Sequence, residues 1–502
     1  MTTTPASEVL LHVAQTTTGP VQGSVGDGLA VFLGIPYAAP PFGALRFQPP
    51  APHEAWAEPR ECTAYGATAP KPPYRESVAD LLPEPSVAGE DCLNLNIWAP
   101  AAPAATGRPV LVWVHGGSFQ NGSSAVPIYD GAAFARDGVV AVTINYRLGV
   151  DGFAHLPGAV DNRGLLDQIA ALEWVRDNIA AFGGDPENVT VAGESAGAMS
   201  VTSLMAMPGA RGLFHRVIAQ SGAGHYALRP ETAAKVTAGI AEELGVEPTT
   251  EALAAVPLPE LLAAHERLGL RIAGDPDPAR WGEIAANMMI FEPVVDGETL
   301  PGLPYAVLAA GGGADVDLLI GSNDDEHALF LYPIVAGIEE ARVRGVLAAF
   351  QATPDAYETY VAQTGSERPG DVMTAALTDW FFRMPALRLA EARLSLGKAS
   401  HVYEFGWKSP ALGGVLGACH ALEIAFAFDT LSAPGAGGMA GDDPPQSLAD
   451  DMHAAWVAFV STGEPGWPAY GDARHTRRFG GHDDGLVLDD PDRERREVWA
   501  AR

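Results

Sequence analysis

The pentapeptide Gly193-Glu194-Ser195-Ala196-Gly197 follows a short β-branched run, Val189-Thr190-Val191, and precedes a helix-compatible segment, Ala198 to Met207. A tight strand-to-helix turn leaves no room for side chains at Gly193 and Gly197, and it lifts the Ser195 hydroxyl clear of the sheet edge. In a chain with 56 glycines the pentapeptide alone equally fits an ordinary turn with a bystander serine. Its weight comes from the other parts that serine hydrolysis needs, namely a base, an orienting acid and oxyanion donors. His115-Gly116-Gly117 follows a strand-like run, and the amides of Gly116 and Gly117 can approach an oxygen because no β-carbon stands in the way. The amide of Ala196 adds a third donor. Farther on, Gly321-Ser322-Asn323-Asp324-Asp325-Glu326 offers three carboxylates, and the pattern does not choose among Asp324, Asp325 and Glu326. His420 is the candidate base, in a loop leading into a helix, although a lone histidine is more often structural.

These residues need a scaffold. Val110 to Val114 and Val139 to Ile144 are unbroken apolar runs of strand length, as expected of strands covered on both faces of a mostly parallel sheet. Leu165, Ile169, Leu172, Val175, Ile179 and Phe182 recur at steps of three and four, which predicts an amphipathic helix of about five turns. Gly183-Gly184 and Pro186 close it. Further strands are expected at Val217 to Ala219, Val316 to Ile320 and His401 to Phe405. Gly19 to Pro50 reads as a small antiparallel start, 51–89 as an irregular loop, and pairing resumes at Leu93 to Trp98. Residues 230–290 and 334–391 read as helical cap insertions, and Ser432 to Pro445 as a loop. The expectation is one α/β domain over 1–502, with a mostly parallel central sheet and helices on both faces. The chain order serine, acid, histidine, behind an HGGG-type loop, is that of the α/β-hydrolase arrangement.

Composition bounds the partners. A formal charge of −31 argues against nucleic acid and anionic membrane surfaces as partners. Met1 to Thr18 has no basic region and no apolar run of signal-peptide length, so a soluble cytoplasmic protein is expected. Scarce lysine beside abundant Ala, Gly, Pro and Arg reads as the codon bias of a GC-rich genome. Three cysteines in 502 residues fit a reducing compartment. His475 and His482 lie in a polar stretch and read as surface residues. No Gly-x₄-Gly-Lys-Ser/Thr occurs, which excludes a P-loop. Oligomeric state is not readable.

The chain resembles the type-B carboxylesterase/lipase family of cholinesterase-like α/β-hydrolases, and its bacterial, para-nitrobenzyl-esterase-like members, from about Thr17 to near residue 490. Gly34-Ile35-Pro36-Tyr37-Ala38, Glu90 to Asn96, His115-Gly116-Gly117, Asn145 to Gly149 and Gly164 to Gln168 carry the resemblance. Phe182 to Pro186, Gly193 to Gly197, Phe291 to Gly297 and Trp467 to Tyr470 complete it. The resemblance implies a triad of Ser195, Glu326 and His420, an oxyanion hole of Gly116, Gly117 and Ala196, and no metal or cofactor. It also implies that Ser221, in Gln220-Ser221-Gly222, supports the acid. Glu194 is expected to point away from the serine, lining the pocket or ordering water. Phe119, Met289, Leu329 and Phe330 are candidates for the pocket wall, against ordinary core packing.

Departures sharpen the reading. Members with a disulfide at Cys92 pair it with a cysteine past the Tyr65-Gly66 turn, where Ala69 stands here, so Cys62 and Cys92 are expected as free thiols. No tryptophan lies between Ala67 and Glu90, and Asn287, Met288 and Met289 replace acyl-pocket aromatics, which argues against a choline esterase. His327 follows Glu326 where the family usually has glycine, and Ala198 stands where a second glycine is common. The resulting expectation is a serine carboxylesterase for small to medium uncharged esters. The same triad could serve amide, carbamate or lactone substrates. A non-catalytic, partner-binding member of the fold would normally lack part of the triad.

Overall fold

Consecutive side chains of a strand point to opposite faces even where every one of them is apolar. Val110, Val112 and Val114 pack into one apolar cluster with Val140, Val142, Val191 and Val217. Leu111 and Trp113 pack into a second cluster with Ala141, Ala192, Ile218 and Tyr403. The sheet therefore separates two cores, which is why its central runs are apolar but for the buried Thr143 and Thr190. The structure, a computed structural model, describes residues 10–500; Met1 to Val9, half of the stretch read for an export signal, lie outside the described residues.

The strands are β1 (Leu10–Gln15), β2 (Pro20–Gly26), β3 (Leu29–Pro36), β4 (Arg60–Glu61), β5 (Asn94–Pro100), β6 (Arg108–Val114) and β7 (Val140–Ile144). They continue as β8 (Gly184–Glu194), β9 (Arg216–Gln220), β10 (Asp317–Asn323), β11 (Ser400–Phe405), β12 (His475–Phe479) and β13 (Val487–Asp489). Among the described residues they form one 13-stranded sheet in the order β1-β2-β3-β5-β7-β6-β8-β9-β10-β11-β12-β13, with β4 beside β2. From β7 to β12 every pairing is parallel, and both flanks are antiparallel apart from the short parallel pairing of β4 with β2. Register brings the carboxyl ends level: Val114 pairs with Gly193, Glu194 with Gln220, and Gly321 with Gln220. The loops after β6, β8, β9 and β10 thus emerge side by side, where open α/β sheets place their ligands.

The helix expected over Leu165 to Phe182 runs Arg163–Asn178 and tightens to a 3₁₀ turn over Ile179–Phe182, ending at Gly183 with φ 83°. The insertions are helical, including Pro230–Leu244 and Leu258–Gly274 in the first and Glu340–Ala349, Ala356–Thr364 and Pro369–Thr378 in the second. One feature there has no counterpart in the periodicity, a π-helical turn at Asp379–Arg383 before the helix Met384–Ser395. No helix among the described residues is long and apolar enough to cross a membrane.

Two readings of the tail need correction. Ser432 to Pro445 is not all loop, because Ala436–Ala440 is helical. The polar stretch with His475 is the sheet strand β12, where Thr476 and Phe479 turn inward and His475 is half-buried against Asp489. Its Arg478 is drawn to Asp324 and Glu404 at the sheet end.

Candidate active site

Ser195 occupies the turn between β8 and the helix Ala196–Ala206, with φ 56° and ψ −122°, a conformation costly for any side-chain-bearing residue. The surroundings enforce it. Ser195 N–H donates to the Gln220 carbonyl at 2.9 Å. A β-carbon at Gly193 would lie 2.5 Å from the Gly197 carbonyl carbon, and one at Gly197 would stand inside the Val114 carbonyl oxygen. The elbow is therefore pressed onto the end of β6, beside the loop that starts at His115.

In that loop a β-carbon at Gly116 would sit 3.1 Å from Ser195 Cβ, so the Gly116 backbone lies directly against the serine. Among the described residues the amides of Gly116 and Gly117 donate to no protein oxygen. They are free for a ligand. Gly117 has φ 111°, a region that favours glycine. His115 is stacked on Tyr146 at 4.5 Å, and burial pulls it down to about 3, so it stays neutral.

The choice among the three carboxylates is made by their partners. Asp324 is bound by Arg478 at 2.7 Å, and Asp325 by Lys408 and the Ala418 amide. Glu326 is fully buried, and its Oε2 accepts from His420 Nδ1 at 2.6 Å. Its Oε1 accepts the Asn323 N–H at 2.7 Å. The loops bearing Glu326 and His420 are joined by their backbones, Asp325 N to Ala418 O at 3.0 Å and His420 N to Glu326 O at 3.3 Å.

His420 Nε2 faces Glu194, 3.1 Å from Oε1. The carboxylate of Glu194, expected at a pocket wall or ordering water, lies against the His420 imidazole. Among the described residues Ser195 Oγ makes no hydrogen bond to His420, a bond that in unliganded enzymes often forms only with substrate. A third carboxylate, Glu423, accepts from Gln220 Nε2 at 3.0 Å and Asn323 Nδ2 at 2.6 Å. Burial pulls His420 down, but Glu194, Glu326 and Glu423 outweigh it and lift the imidazole to about 9. Burial pushes Glu194 up to about 8, against the pull of His420, with Glu423 and Glu326 adding to the rise.

The remaining expected residues divide. Ser221 is buried, but its hydroxyl has no hydrogen-bond partner among the described residues, and the Asn323 amide does the holding expected of it. Phe119 is fully buried against Phe153, and Leu329 is buried in the apolar cluster that also holds Tyr403 and Leu416. Met289 is also buried, two residues before Phe291. Phe330 is 48% exposed with its ring 5.3 Å from the His420 ring, and it alone of the four combines exposure with an aromatic approach to His420. Sequence reasoning missed Phe382, from the π turn, whose ring lies 4.7 Å from His420. It missed the setting of His327 as well, among Phe330, Phe381 and Phe382. Cys62, Cys92 and Cys419 are all free and buried.

A model of the carboxylesterase family matches residues 11–479. The chain is 38% identical to the para-nitrobenzyl esterase of Bacillus subtilis over 512 aligned residues, covering 97% of this chain and 98% of that protein. It is 36% identical to the phenmedipham hydrolase of Pseudarthrobacter oxydans, covering 91% and 92% respectively. Among solved structures, a PNB esterase superposes with a TM-score of 0.84 at 35% identity, over 97% of this chain and 99% of that one. A carboxylesterase of Geobacillus stearothermophilus gives 0.82 at 37% identity, over the same 97% and 99%.

Proposed function

The chain belongs to the carboxylesterase family, and on that premise we propose that Ser195, His420 and Glu326 carry its ester hydrolysis through an acyl-enzyme on Ser195. It is a carboxylic ester hydrolase, as its relatives are. The observation that carries the residue assignment is the 2.6 Å bond between Glu326 and His420 Nδ1, beside a serine held at φ 56° on the elbow.

Glu326 fixes the imidazole with its proton on Nδ1, leaving Nε2 to accept. Ser195 Oγ attacks the ester carbonyl carbon while Nε2 takes the hydroxyl proton. The carbonyl π electrons move to the oxygen, which the Gly116, Gly117 and Ala196 amides stabilise as an anion. The imidazolium is stabilised by Glu326 and by Glu194. The tetrahedral intermediate collapses, and the proton on Nε2 passes to the departing alcohol. Water then repeats the sequence on the acyl-enzyme and releases the acid.

The substrates are small to medium uncharged carboxylic esters; the aromatic side chains of Phe330 and Phe382 beside His420 support an apolar arm there. The helical insertions over 230–290 and 334–391 act as the selecting cap of a single domain. Three buried free thiols support a cytoplasmic setting, and the bacterial relatives support a bacterial source. Hydrolysis of a nitrophenyl ester series from acetyl to decanoyl, by wild type and Ser195→Ala, tests the assignment. Activity confined to wild type with a short-chain optimum is expected. Equal activity in both would refute the nucleophile.

A further inference from the structure

The loop bearing the oxyanion amides is gripped from outside the triad. Lys71 Nζ lies 3.4 Å from Glu84 Oε1, and the two side chains are only 3% and 10% exposed. Both converge on one residue, Gly122. Glu84 Oε1 accepts the Gly122 N–H at 2.6 Å, and Lys71 Nζ donates to the Gly122 carbonyl at 2.9 Å. Lys71 also donates to the Pro85 carbonyl at 3.0 Å. The side-chain amide of Asn121 donates to Glu84 Oε2 at 3.2 Å and to the Pro72 carbonyl at 2.6 Å.

Gly122 is in turn fitted against the oxyanion glycines. It has φ 94°, and a β-carbon on it would overlap the Gly116 carbonyl oxygen and the His115 ring. The Asn121 N–H donates to the Gly117 carbonyl at 2.8 Å, and a β-carbon at Gly117 would strike the Asn121 carbonyl. Residues 121–122 therefore cannot move without moving Gly116 and Gly117.

A buried ion pair is an expensive way to hold a loop, because both charges lose their hydration. Burial works against each, drawing Lys71 down and Glu84 up. No disulfide closes this part of the chain, since Cys62 and Cys92 are free. We propose that Lys71 and Glu84 are positioning residues for the oxyanion hole, gripping both backbone polar groups of Gly122 and so fixing the aim of the Gly116 and Gly117 amides. This rests on the reading of Ser195 as nucleophile. Oxyanion donors act only within about 2.7–3.1 Å of the developing charge, and a misplacement of about 1 Å costs on the order of 100-fold.

The test uses the full-length enzyme with 4-nitrophenyl acetate, a trifluoromethyl ketone that forms a tetrahedral adduct on serine, and the matching secondary alcohol, which binds without forming one. Lys71→Met and Glu84→Gln should lower kcat about 10- to 100-fold per folded enzyme, with KM within about threefold. Ketone affinity should weaken by the same factor while alcohol affinity holds. A merely structural pair would lower stability and leave the ketone unaffected. The double variant Lys71→Met/Glu84→Gln leaves no unpaired buried charge, so it should recover stability without recovering kcat; it decides the matter where a single variant does not fold. Folded variants with kcat within twofold of wild type, or with lost kcat and unchanged ketone affinity, overturn the inference alone. A wild type that neither hydrolyses the ester nor binds the ketone overturns the nucleophile assignment first, and this inference with it.

Discussion

Replacing Glu194 with glutamine removes the charge that faces His420 Nε2 while keeping the side chain's size. His420 lies at about 9 against an ordinary 6.5, a displacement worth about 3 kcal/mol. Unit charges 3.1 Å apart attract by about 5 kcal/mol at an effective dielectric of about 20, so Glu194 alone is able to supply it against the cost of burial. Glu194 is itself lifted to about 8, chiefly by burial, so the two titrate together and the measured limb belongs to the pair. The base works only when Nε2 is free to accept, so activity is present above the limb and lost as pH falls through it. The wild-type acid limb should therefore still be rising above pH 7. In Glu194→Gln it should move down by about one to two pH units, the effect expected of one close opposite charge. The high-pH plateau should fall about tenfold, equivalent to about 1.4 kcal/mol, because a carboxylate no longer steadies the imidazolium in the transition state. The assay is kcat/KM from pH 5 to 10 by pH-stat with an aliphatic ester. A limb within about 0.3 pH units of wild type would refute the claim that Glu194 holds His420 up.

Three other perturbations follow from the geometry. Asp167→Asn leaves Arg147, bound by Asp167 at 2.7 and 2.8 Å, as an unpaired buried charge and should cost about 3–5 kcal/mol. The denaturant midpoint should drop while kcat per folded molecule stays within about twofold, and an unchanged midpoint would contradict this. Gly197→Ala places a methyl group inside the Val114 carbonyl and should destroy activity even where the chain folds, so near-normal turnover would mean the elbow relaxes. Phe330→Ala opens space beside His420 and should move the acyl-chain optimum to longer esters; an unchanged optimum would place Phe330 outside the pocket.

What the sequence made legible was whatever local chemistry decides. Val110 to Val114 and Val139 to Ile144 are apolar because both faces are covered, and both are strands of the parallel core. Gly193 and Gly197 announce the elbow because backbone contacts forbid a side chain there. Local pattern left Asp324, Asp325 and Glu326 open because what sets them apart is distant in the chain, Arg478 and Lys408 pairing with the first two and His420 with the third. Strand β12 reads as polar surface because its arginines answer carboxylates on a neighbouring helix, loop and strand, which no local pattern reveals. Leu329 and Phe330 are neighbours in sequence, yet one enters the core and the other is half exposed, because successive side chains of the short helix Ala328–Leu331 point in different directions. Phe382 was unreadable because a π turn sets its direction, outside the helical period.

The most direct test is to catch the covalent intermediate. Acid quenching of a steady-state mixture with a nitrophenyl ester, followed by proteolysis and mass analysis, should place one acyl group on the peptide containing Ser195. His420→Ala should abolish its accumulation on that timescale. An acyl group on another residue, or full turnover with Ser195 replaced by alanine, would contradict the assignment of the nucleophile and with it the mechanism built around it.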